Sequence, residues 1–166
     1  MRRRLTLAAA LALALAASAA SAEPVSIELK TGAGASAGKA TLTEAPKGVL
    51  LKVEAKGLTP GWHGLHFHAK ADCSKADFTS AGGHTHSAEK AVHGLLNPQA
   101  NETGDLPNLY AGADGAGNAE VFTGLLTLKS LKDADGSALV IHAAADDHKT
   151  QPIGGAGARV ACGEIK

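Results

Sequence analysis

The chain has 166 residues, 16 basic and 16 acidic, and 45% of its residues are hydrophobic. That length suits a single domain with a real core, and the even charge argues against a nucleic-acid binder, which needs a basic surface. Only 3% of residues are aromatic, so the core must be built from Val, Ile, Leu and Ala.

Residues 1–22 read as a secretory signal peptide. Arg2, Arg3 and Arg4 form a basic start, an uncharged Ala/Leu run follows to Ala19, and Ala20-Ser21-Ala22 supplies small residues for cleavage. A run of roughly 15 apolar residues is short for a membrane span, which needs about 20. The mature chain, 23–166, is therefore expected to begin at Glu23 and to carry no membrane segment. Loss of the three arginines leaves 13 basic against 16 acidic residues, a net charge of −3. Export also means an oxidising environment. Cys73 and Cys162 are the only cysteines, so their pairing is the sole intramolecular disulfide available; the alternative is two buried free thiols.

Short period-2 segments follow at 25–29, 39–43 and 49–55, the last two separated by Glu44-Ala45-Pro46-Lys47-Gly48, a hairpin spacer. Residues 57–60 break the pattern before a strand over 63–68. Further strands are expected at 118–128, 138–142 and 159–165, with tight turns at Asp114-Gly115 and Asp135-Gly136. Outside the leader no stretch of 12 residues has a helical period. The fold class is all-β: an antiparallel sandwich or barrel. Two long stretches, 69–113 and 143–158, fit neither strand nor helix, and loops of that length are uncommon unless functional or disordered. They contain most of the remaining histidines, which favours a functional role.

The strand His63-Gly64-Leu65-His66-Phe67-His68 is the focus. Alternation sends His66 and His68 to one face, about 7 Å apart, where they can converge on one ion; Leu65 and Phe67 go to the other. His63 shares the core face and reads as a structural, hydrogen-bonded histidine. His84, His93 and Asp105 lie in the first long stretch, and His142 ends the strand Leu139-Val140-Ile141-His142. Imidazoles suit copper and zinc, and a carboxylate added to imidazoles suits zinc.

Gly64-Leu65-His66-Phe67-His68, Gly82-Gly83-His84, Gly104-Asp105-Leu106-Pro107, His142 with Asp146-Asp147, and the run Gly155 to Gly163 together resemble the copper/zinc superoxide dismutases of the exported bacterial type. The resemblance covers nearly the whole mature chain. It implies a Greek-key β-sandwich or barrel with two long functional loops, in the periplasm, as a monomer or homodimer. It implies copper on His66, His68, His84 and His142, with His84 shared with zinc, whose other ligands include His93 and Asp105. Asp146 resembles the carboxylate that hydrogen-bonds one ligand of each metal, here His66 and His93. Arg159 resembles the guanidinium beside copper that receives the small anionic substrate, superoxide. Cys73 and Cys162 resemble the pair tying the first loop to the last strand. The alternative function is a periplasmic copper-binding or buffering protein on the same fold, which would have no need of Arg159 or Asp146.

One position departs from the family. Three residues before the zinc aspartate the family usually has a histidine, and this chain has Glu102. Glu binds zinc through oxygen, so Glu102 is ranked first as the fourth ligand, ahead of His86 or water. His86 and His148 are otherwise expected to be exposed loop residues.

Overall fold

The computed structural model describes residues 23–86 and 88–166; the expected leader over 1–22 lies outside the described residues. The described residues form nine strands in chain order: β1 (Val25–Lys30), β2 (Ser36–Ala45), β3 (Gly48–Ala55), β4 (Gly61–His63), β5 (Leu65–His68), β6 (Leu109–Ala111), β7 (Gly117–Thr123), β8 (Ser137–His142) and β9 (Arg159–Ile165). One short helix, α1 (Leu128–Leu131), lies between β7 and β8. The strands form one antiparallel sheet in the order β4-β6-β7-β3-β2-β1-β9-β8-β5. Its two ends, β4 and β5, are separated in sequence only by Gly64, so the sheet nearly closes into a barrel. No helix of the described residues is long and apolar enough to cross a membrane.

Alternate residues fill the interior: Ile27 and Leu29 from β1, Ala40 and Leu42 from β2, Leu51 and Val53 from β3, Leu65 and Phe67 from β5, Leu139 and Ile141 from β8. The core is aliphatic apart from Phe67, whose complete burial contributes about 1.5–3 kcal/mol. β5 and β8 are buried on both faces. Outside the barrel, Ala138 and Val140 of β8 join Phe78, Ala81 and Cys162 in a second cluster beneath the first long loop. Double burial explains why β8 reads as an unbroken apolar run rather than an alternation.

β2 extends beyond the expected 39–43 and leaves only Pro46-Lys47 of the expected spacer as the turn, and three further differences shape the fold. The strand expected over 63–68 divides at Gly64: His63 pairs with Leu109 of β6, whereas Leu65–His68 pairs with β8. A side chain at 64 would meet the Ala156 Cβ at 2.8 Å. The strand expected over 118–128 ends at Thr123, because Thr127 accepts from the Ser130 N–H and caps α1, whose Leu128 and Leu131 are buried. The stretch 69–113 also contains a strand, β6, whose Tyr110 meets Trp62 edge to face at 5.0 Å.

Candidate metal centre

The site is built on the outer face of β5, between the barrel wall and the two long loops. β5 ends the sheet order and leaves one edge open, and the first loop pairs with that edge. Phe67 N–H donates to the Gly104 carbonyl at 2.9 Å, and Thr85 N–H donates to the Phe67 carbonyl at 2.9 Å. This pairing sets Asp105 opposite His66 and His84 opposite His68, while His86 pairs with Glu102. Gly104 makes the approach possible, since a Cβ there would stand 2.3 Å from the Phe67 carbonyl oxygen. On the other side, the β8–β9 register runs from Ile141↔Ala161 to His142↔Arg159, skipping Val160. That bulge places the Arg159 backbone opposite His142.

Four imidazoles converge here: His66, His68, His84 and His142, all buried, each offering one nitrogen within 4.8 Å of the others. The free atoms are specific. His66 Nδ1, His68 Nε2, His84 Nε2 and His142 Nε2 are buried with no hydrogen-bond partner. The opposite nitrogen of each ring is engaged: His66 Nε2 with Asp146 at 2.7 Å, His68 Nδ1 with the Gly82 carbonyl at 2.9 Å, and His142 Nδ1 with the Gly157 carbonyl at 3.1 Å. Buried polar atoms are normally satisfied, so four bare nitrogens facing one another fit a cation.

His84 turns its second nitrogen toward another cluster. Its Nδ1 lies 2.7 Å from Glu102 Oε2 and 3.1 Å from Asp105 Oδ1. His93 Nδ1 lies 2.9 Å and 3.0 Å from the same two oxygens. His66 also comes within 4.8 Å of His84, His93 and Asp105, but its Nε2 is committed to Asp146, and Glu102 completes this second set through its contacts with both Nδ1 atoms. His86 is exposed, with Nδ1 on the Ala88 carbonyl at 2.6 Å, and stands outside both clusters.

Asp146 joins the two sets, accepting from His66 Nε2 through Oδ2 and from His93 Nε2 at 3.1 Å through Oδ1. Such outer partners fix a ligand's tautomer and orientation. Arg159 donates to the carbonyls of Phe78 at 2.5 Å and Gly82 at 2.6 Å, so the Gly82 oxygen serves both Arg159 and His68. The loop supplying those carbonyls is tied down by the Cys73–Cys162 disulfide, with Cα atoms 5.9 Å apart. A pocket lined by His84, Glu102, Pro152 and Arg159 opens this face to solvent. His63, as expected, is buried and structural, its nitrogens 2.7 Å and 2.8 Å from the carbonyls of His142 and Thr59.

The electrostatics of the two sets are opposite. Burial pushes His68 down to about 2, aided by the charges of His84, Arg159 and His142. Burial likewise lowers His142 to about 3, with His66, His84 and Arg159 adding to it, and holds His66 below its ordinary value against the Asp146 hydrogen bond. In the second set burial is overridden: hydrogen bonds to Asp105, Asp146 and Glu102 carry His93 up to about 11, and those to Asp105 and Glu102 raise His84. Burial opposes ionisation of Asp105 and Asp146, yet their imidazole partners hold both below the usual carboxylate range. Three imidazoles kept neutral form an uncharged donor set, whereas in the second set carboxylates favour the protonated forms of their two imidazole partners.

The sequence family of copper/zinc superoxide dismutases (SODC) matches residues 36–165. The chain belongs to the copper/zinc superoxide dismutase family. It is 65% identical over 136 residues to the copper/zinc superoxide dismutase of Caulobacter vibrioides, covering 78% of each chain. Among solved structures it resembles a superoxide dismutase-like protein from Bacillus subtilis (TM-score 0.78, 34% identity, 85% of this chain and 97% of that one). It also resembles the copper/zinc superoxide dismutase of Brucella abortus (TM-score 0.73, 32% identity, 87% and 100% covered). The two metals of this superoxide dismutase family match the two donor sets: four imidazoles suit copper, and mixed carboxylate and imidazole donors suit zinc.

Sequence reasoning missed Asn108, whose side chain brackets the backbone of Asp146, and the half-buried placement of His148, expected as an exposed loop residue. Asn108 directly follows Gly104-Asp105-Leu106-Pro107, and that adjacency was the available signal.

Proposed function

We infer that this protein dismutates superoxide, converting two superoxide anions and two protons to dioxygen and hydrogen peroxide. The observation that carries the reading is His84, whose bare Nε2 faces three other unpartnered imidazole nitrogens while its Nδ1 meets two carboxylates, with Arg159 nearby. Bound copper supplies the one-electron chemistry, and bound zinc, without redox chemistry, fixes His84. His66, His68, His84 and His142 would hold the copper; His84, His93, Asp105 and Glu102 would hold the zinc.

Within that frame the chain's own groups have defined tasks. Arg159 is a permanent cation with donors in a planar fork, suited to drawing in and orienting a small anion. With a net charge of −3 over residues 23–166, a local positive site matters more than overall sign. When it is not holding copper, His84 Nε2 would be free to carry a proton and hand it to the reduced oxygen species. Asp146 keeps protons on Nε2 of His66 and His93, leaving Nδ1 of each free for metal.

A periplasmic location is supported by the leader-like residues 1–22 and the disulfide. Intact-mass analysis of exported protein should give Glu23 as the first residue; a retained Met1 would refute the leader. The functional test pairs a metal count with superoxide consumption by the purified mature chain. Turnover with copper and zinc bound supports the enzyme. Full metal loading without turnover would favour a copper-buffering protein instead.

A further inference from the structure

We propose that His148 is a positioning residue that, held by Asn108, directs its Nδ1–H at Asp146 and fixes the carboxylate joining the two metal-ligand sets. The proposal rests on the reading of Asp146 given above. Asn108 is oriented without ambiguity: its Oδ1 accepts the Asp146 N–H at 2.8 Å, and its Nδ2 donates to the Asp146 carbonyl at 2.8 Å. The same Nδ2 faces His148 Nε2 at 3.3 Å. A nitrogen facing an NH2 donor must be the bare one, so the proton of the neutral ring sits on Nδ1. His148 Nδ1 is buried, makes no hydrogen bond, and lies 3.5 Å from Asp146 Oδ2, the oxygen that accepts from His66. The His148 backbone N–H serves the other oxygen, Oδ1, at 2.6 Å.

The backbone explains how one residue reaches both oxygens. His148 has φ 60, a left-handed conformation uncommon outside glycine and costing roughly 1–3 kcal/mol. That turn folds it back over Asp146, two residues earlier. The His148 carbonyl accepts from Leu96 N–H at 3.1 Å, and Gly94, next to His93, passes close enough that a Cβ would stand 2.3 Å from it. His148 therefore joins the His93 loop to Asp146. Without the imidazole, Asp146 Oδ2 would lose its second nearby N–H and could swing away from His66, loosening both donor sets together.

Three variants of the full mature chain test this: His148→Gly, His148→Asn and Asp146→Ala. Glycine accepts φ 60 and keeps the backbone N–H, so it removes the imidazole alone. Asparagine also tolerates the left-handed region and carries an N–H near the Nδ1 position. Copper and zinc retention under graded chelation is followed for each, with the Cu(II) electron paramagnetic resonance spectrum as a signature of His66 orientation. Histidine tautomers of wild type are read by long-range 15N–1H correlation. The expected results are an Nδ1–H tautomer at His148, about 10-fold faster loss of both metals in His148→Gly, an altered Cu(II) spectrum, and recovery in His148→Asn. Relief of strain alone would leave His148→Gly equal to or more stable than wild type with unchanged metal loss. The proposal is overturned if the proton sits on Nε2, or if His148→Gly holds both metals like wild type while Asp146→Ala does not. If Asp146→Ala itself releases metals at the wild-type rate, the bridging reading of Asp146 fails first.

Discussion

Two adjacent glycines allow the role of Asp146 to be measured against an internal control. Gly154 (φ +59) and Gly155 (φ +70) both occupy the left-handed region, so alanine at either costs about 1–2 kcal/mol in backbone strain. At Gly155 an added Cβ meets nothing within 4 Å. At Gly154 it would stand 1.6 Å from Asp146 Oδ1 and 2.5 Å from its Cγ, so the carboxylate must move. That carboxylate is short and buried, with His66, His93 and the His148 N–H on its oxygens, so moving it breaks those hydrogen bonds. Hydrogen bonds to charged groups contribute about 1.5–3 kcal/mol each, so losing the two ring contacts adds at least about 3 kcal/mol. Gly155→Ala should therefore cost about 1–2 kcal/mol and Gly154→Ala about 3 kcal/mol more. Denaturant unfolding of the metal-free proteins reads the difference, provided the slope m is shared. Copper and zinc retention under chelation should fall in Gly154→Ala alone. Equal midpoints and equal metal retention in the two variants would refute the role assigned to Asp146.

Other substitutions probe separate parts of the centre. Arg159→Ala should keep its copper but consume superoxide about 10-fold more slowly or worse, with weaker dependence on salt, in a turnover assay at several ionic strengths. Glu102→Ala should lose zinc first in a chelator series while copper stays, and Glu102→His should retain zinc in stronger chelator than wild type; identical zinc release by wild type and Glu102→Ala would remove Glu102 from the ligand set. Replacing Cys73 and Cys162 together by Ser opens a loop spanning 89 positions, worth up to about 4–5 kcal/mol in unfolding free energy by chain entropy. The same variant should lose turnover beyond its loss of folded protein, because the loop carbonyls of Phe78 and Gly82 anchor Arg159.

What the sequence made legible follows from which interactions are local. The alternation in Leu65-His66-Phe67-His68 separates core from ligand face within four residues, and both faces behave as their chemistry requires. The short strands of β1 to β3 announce themselves by the same period. The division at Gly64 was hidden because it depends on Ala144 and His142, some 80 positions away, which take its N–H and carbonyl. β6 was hidden because three residues, Leu109–Ala111, carry no period of their own and are strands only beside β4 and β7. At the metal centre, ligand types can be read from the chain, whereas their wiring cannot. Nothing local indicates that one Gly82 carbonyl serves both His68 and Arg159, or that the ring of His148 turns back toward Asp146.

All members of the two donor sets, together with Asp146 and Arg159, come after residue 63. The first three strands and their hairpin are pure frame. β1 runs antiparallel to β9, with Lys30 opposite Cys162, so the two strands lie side by side. Between β2 and β3 the turn at Pro46-Lys47 is exposed. In a chain trimmed to 23–166, a short linker from the end of β9 to the start of β1 would allow new ends to be opened at that turn. Such a circular permutant would keep every donor in its original order, so frame strands and metal-binding segment occupy separate lengths of sequence although they share one core.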